Sequence, residues 1–130
     1  MKFSLVILAA PYSDQSVSTA LRFATALLEL GHEIFRVFFY HNGVYASNAL
    51  ITPPQDEPNI PQQWQQLAQQ HSIDMVSCIA SALKRGVLDE TEAQRYEQPS
   101  HNLQAGFELS GLGQLIEASA LSDRVVSFGA

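Results

Sequence analysis

A chain of 130 residues, 46% hydrophobic and 15% charged, can bury a real core, which excludes a disordered tail or linker and points to one domain over residues 1–130. The formal net charge of -6 argues against broad binding of a phosphate backbone and leaves acidic surface to steer basic protein partners. With Cys78 as its only cysteine, the chain can form neither an internal disulfide nor a cysteine-rich zinc site.

Lys2–Leu8 is a near-continuous apolar run, the pattern of a strand covered on both faces. Only Lys2 supplies charge ahead of a short, β-branched run, so a buried first strand fits better than a signal peptide. No stretch approaches the roughly 18 apolar residues of a membrane-spanning helix, and a cytoplasmic protein is expected. The turn formers Pro11-Tyr12-Ser13-Asp14 mark a loop. A helix is expected from Ser16 or Ser18 to Leu30, because Leu21, Ala24, Leu27 and Leu28 recur at helical spacing and Gly31 suits the position just past a helix end. Glu33–Tyr40 is a second strand.

The connection 41–60 holds Thr52-Pro53-Pro54-Gln55-Asp56-Glu57-Pro58, which fits neither a helix nor a central strand. Pro61 suits the first position of a helix over Gln62–Gln70, with Trp64, Leu67 and Ala68 on its apolar side and the glutamines solvated. Ile73–Cys78 reads as the third strand, Ile79–Lys84 as a helix ending before Gly86, and Asp89–Arg95 as a short polar helix with a solvated acidic start. Gln98–Gly106 is a second long loop. Ser110-Gly111-Leu112-Gly113 opens a final helix through Leu121, and Arg124–Phe128 is the last strand. Such alternation predicts an α/β fold, a three-layer α/β/α sandwich around a mainly parallel sheet.

Cys78 falls where a strand hands over to a helix, the edge at which open α/β sheets gather ligands and reactive groups. Free N–H groups and partial positive charge at a helix start favour thiolate over thiol. Lys84 and Arg85 lie roughly two turns further on and could add positive potential. Position alone leaves a reactive thiol and a small buried hydrophobe equally open.

Hydrolytic cysteine chemistry needs a histidine base. His41 and His101 lie in the two long loops and could approach the Cys78 edge, whereas His71 and His32 belong to the opposite edge. None stands in a protease pattern with Cys78, and surface or loop-anchoring roles suit all four better. Gly111-Leu112-Gly113 lacks the third glycine of a dinucleotide fingerprint and does not follow the first strand, so it reads as a turn and cap. Asp89, Glu90 and Glu92 have no metal-ligand spacing. No cofactor and no metal are expected.

The segment Val37-Phe38-Phe39-Tyr40-His41-Asn42-Gly43-Val44-Tyr45 resembles the strand-to-loop segment of DsrE-type proteins. The setting of Cys78 within Asp74–Val87 is similar to that of the family's active cysteine. Asp89-Glu90-Thr91-Glu92-Ala93, Ser100-His101-Asn102-Leu103-Gln104, Leu109–Leu115 and Asp123-Arg124-Val125-Val126 extend the match over nearly the whole chain. On these residues the chain resembles the DsrE/TusD family of sulfurtransferase subunits. The resemblance implies a parallel α/β sandwich and assembly with TusB-like and TusC-like subunits into a heterohexamer. It also implies a catalytic Cys78 that takes sulfur as a persulfide from a TusA-like donor and gives it to a TusE-like acceptor, for thiolation of the wobble uridine of certain tRNAs. No stable binding to nucleic acid or membrane is implied. A DsrE-like role in dissimilatory sulfur metabolism, and a non-catalytic structural subunit, are the alternatives.

Overall fold

In the computed structural model, which describes residues 1–129, the apolar runs become five parallel strands: β1 (Lys2–Ile7), β2 (Glu33–Phe39), β3 (Asp74–Cys78), β4 (Phe107–Ser110) and β5 (Arg124–Phe128). The helices are α1 (Ser16–Glu29), α2 (Ile60–His71), α3 (Ile79–Lys84), α4 (Glu90–Arg95) and α5 (Gly113–Leu121). The sheet order is β4-β3-β2-β1-β5. The chain therefore steps outward from β1 to β4 and then crosses back to the far side of β1. Right-handed crossovers put helices of outward steps on one face and the helix of the return step on the other. Accordingly α1 packs on α2, whereas Leu115 of α5 packs against the other side of the sheet.

The two faces are filled unequally. Leu5, Ile7, Val37, Phe39, Met75 and Phe107 point toward α1 and α2 and form the large core. Trp64 of α2 is fully buried there and meets Phe39 edge-on, with ring centroids 5.5 Å apart. The alternate residues Phe38, Val76 and Cys78 form a small second cluster, closed by Tyr40 and Leu115.

Local signals set the helix ends. Gly31 takes φ +85° after α1 and its N–H bonds the Leu28 carbonyl, the left-handed stop that glycine tolerates. Asn59 caps α2 by accepting from the Gln62 N–H at 3.1 Å. That helix begins at Ile60, so Pro61 stands one position inside its first turn.

Three expectations need correction. The long connection is not structureless at its start, because His41–Ser47 winds into a 3-10 helix. It crosses the end of β1 so closely that a Cβ on Gly43 would lie 2.0 Å from the Ile7 carbonyl oxygen. Phe107–Ser110 forms the edge strand β4, too short to show alternation. Asp89 does cap α4, but Glu92 in its first turn is buried rather than solvated and lies 3.4 Å from Arg95.

Candidate functional site

Cys78 is both the last residue of β3 and the N-cap of α3. The strand alternation points its side chain away from the large core, toward α5, while Ser77 points the other way. Ser77 Oγ donates to Ser47 Oγ at 2.9 Å, and Ser47 Oγ donates to the Val44 carbonyl at 2.7 Å. This buried pair ties β3 to the 3-10 helix. Laterally, Cys78 is in register with Ser110 of β4. Phe39 pairs with Ser77, so Tyr40 stands at the next position beside Cys78.

Cys78 is 3% exposed. Its Sγ makes no capping hydrogen bond, and the first turn of α3 leaves backbone N–H groups without helical acceptors at the residue that carries it. What the arrangement offers is a single cysteine at the junction of an inner strand and a helix, covered by its neighbours.

The surroundings sort the sequence candidates. His41 takes a left-handed backbone (φ +50°) and stacks on Tyr40 with ring centroids 4.1 Å apart. Its N–H donates to Ser81 Oγ at 3.1 Å, linking the 3-10 helix to α3. Arg85 folds back along α3: Nη1 donates to the Ser81 carbonyl at 3.1 Å and Nε to Asn42 Oδ1 at 2.9 Å. Lys84 instead lines a groove of roughly 630 Å³ with Leu50, Leu83, Leu88, Tyr96 and Asn102. Cys78 does not line that groove. Asn102 holds its floor by donating to Asn48 Oδ1 and the Gly86 carbonyl and accepting from the Leu88 N–H. His101 is exposed in the loop between α4 and β4. His32 and His71 share a surface at the opposite edge with Lys2 and Phe35.

Two residues on the α5 side of the sheet escaped the sequence reading. Leu115 covers the Cys78 cluster from α5, and nothing in a sequence shows that a residue 37 positions away will do so. Arg36 is buried on β2, where Nε meets Asp74 Oδ2 at 2.7 Å and Nη1 meets Glu117 Oε1 at 3.0 Å and the Gln114 carbonyl at 2.8 Å. Burial works to lower the Arg36 guanidinium, but hydrogen bonds and attraction from Asp74 and Glu117 outweigh it and hold the group above its ordinary value. A charge inside the apolar run Ile34–Tyr40 was its available signal.

With this geometry in place, the likeness to known proteins is informative. The family model of the DsrE/DsrF-like family matches residues 1–128. DsrE of Allochromatium vinosum is 52% identical over 129 residues, covering 99% of both chains. The sulfurtransferase TusD of Salmonella enteritidis is 51% identical over 128 residues, 98% of this chain and all of that one. The crystal structure of the YchN protein of E. coli superposes with a TM-score of 0.78 at 23% identity, covering 98% and 99% of the two chains, which supports the fold. No described helix is long and apolar enough to cross a membrane. At this identity over nearly full length the chain is an enzyme of the sulfurtransferase class, and it belongs to the DsrE/DsrF-like family.

Proposed function

We propose that this chain is a persulfide carrier in a sulfur relay, with Cys78 as its catalytic residue. The carrying observation is the place of the only cysteine: the carboxyl end of an inner parallel strand, at the start of α3. The Cys78 thiolate attacks the outer sulfur of a donor persulfide. The donor's S–S bond breaks, the donor leaves as a thiolate, and a new S–S bond forms on Cys78. An acceptor thiolate then attacks that outer sulfur and Cys78 leaves as a thiolate. No electrons are gained or lost overall, so one cysteine suffices and no cofactor is required.

The donor in this reading is TusA-like and the acceptor TusE-like. Residues 1–130 act as one unit beside TusB-like and TusC-like subunits in a cytoplasmic heterohexamer, and the endpoint is 2-thiolation of tRNA wobble uridine. The near-equal identities to DsrE and TusD, 52% and 51%, support the shared chemistry and do not choose between the two pathways.

The test is to incubate the protein with a persulfide-loaded TusA-like donor and measure intact mass. A gain of one sulfur atom, absent in Cys78→Ser, is the expected result. No gain with the partner subunits present overturns the carrier role. The second reading, a structural subunit with an inert thiol, draws on the 3% exposure of Cys78 and predicts that outcome.

A further inference from the structure

We infer that α5 is a gate over Cys78, closed by Leu115 and latched to the sheet by Arg36. The inference deepens the sulfur-transfer reading and rests on it for its purpose. Sulfur can pass between two proteins only if the reacting atoms approach to about 3–3.5 Å. A cysteine residue that is 3% exposed offers its sulfur no such approach to a cysteine on another chain. Something over Cys78 has to move.

The neighbours differ in their freedom to do so. β2 and β3 are hydrogen-bonded on both sides, and the Ser77–Ser47 pair pins β3 from the far face. By contrast, α5 has one buried residue, Ala118, and exposes Ile116 and Leu121. It starts at Gly113, and Gly111 lies just before it. A Cβ at either glycine would meet nothing within 4 Å, so available space does not require glycine there. What two glycines around Leu112 contribute is backbone freedom, the property of a hinge.

Arg36 supplies the catch. Two of its hydrogen bonds reach α5, at the Gln114 carbonyl and Glu117, which flank Leu115 in sequence. The third goes to Asp74 on β3. The side chains of Asp74 and Glu117 are 38% and 50% exposed, so water can replace the protein contacts when α5 lifts. Opening thus exchanges the contacts of Leu115 and Ala118 and the hydrogen bonds that Arg36 makes to α5, and leaves the large core intact.

The test is the rate at which N-ethylmaleimide labels Cys78 in the full chain, measured against urea below the unfolding transition, with global stability measured alongside. Expected is a labelling rate with a much shallower urea dependence than global unfolding. Leu115→Ala should label about tenfold faster, and Glu117→Gln about two- to fivefold faster. Gly113→Ala, which stiffens the hinge, should label about two- to fivefold more slowly. A urea dependence equal to that of global unfolding overturns the gate. So do folded Leu115→Ala and Glu117→Gln proteins that label at the parent rate. Labelling reads access and not sulfur chemistry. A working gate in a protein that gains no sulfur in the mass assay would therefore sink the carrier role alone. Sulfur gain with labelling only through global unfolding would sink the gate alone.

Discussion

The two faces of the sheet are built to different specifications. The face toward α1 and α2 is filled with large apolar side chains around Trp64 and holds one buried polar link, Ser77 to Ser47. The face toward α5 is a small patch of Phe38, Val76 and Cys78 closed by Tyr40 and Leu115, with a charged clasp around Arg36. Hydrophobic burial is non-directional and grows with area, so the first face carries the stability. Ion pairs with solvent-facing partners contribute little, and a face held that way can afford to open. The thiol lies on the second face, which suits a group that has to be both protected and reached.

The largest effect that would sharpen this contrast is Trp64→Ala. It should cost about 3–5 kcal/mol in urea denaturation while the remaining folded molecules keep their capacity to take up sulfur at Cys78. A loss below about 1 kcal/mol would mean that the first face is not the main support. Next comes Arg36→Met, which keeps the stem and removes the clasp. A loss of about 1 kcal/mol is expected, because both carboxylates face water, and a change in the near-ultraviolet signal of Tyr40 should accompany it as the second cluster loosens. Stability equal to the parent would show that the clasp adds nothing to the α5 face. Asn59→Ala removes the cap of α2 and should cost about 1 kcal/mol by the same denaturation. The smallest effect is expected from Ile116→Gln on the outer side of α5, within about 0.5 kcal/mol for the isolated chain. A larger loss, scaling with protein concentration, would reveal that copies of the chain already cover that surface.

The first face could be read from the sequence almost in full. Apolar runs marked β1, β2, β3 and β5, and helical spacing marked α1 and α2, because each element buries enough residues to leave a periodic trace. The β4 strand escaped because four residues with Phe107 alone buried leave no such trace. Buried Glu92 was misjudged for a related reason: acids at a helix start usually face water. Cys78 could be placed at a strand end from its neighbours alone. Leu115 and Ser110 could not be placed beside it, nor Arg36 beneath α5, because strand order and the face taken by α5 depend on contacts between distant segments. Arg36 in an apolar strand announced a buried partner without naming it.

The alternation of Ser77 and Cys78 has a consequence for how this gene can vary. Neighbouring strand residues face opposite layers, so losing or gaining one codon between the start of β3 and Cys78 would exchange their addresses. The sulfur atom would then sit beneath the 3-10 helix next to Ser47, and a hydroxyl would face α5. Such a chain could keep most of its core and still lose its reactive end. Point substitutions along β3 are therefore negotiable one side chain at a time, whereas its length is not.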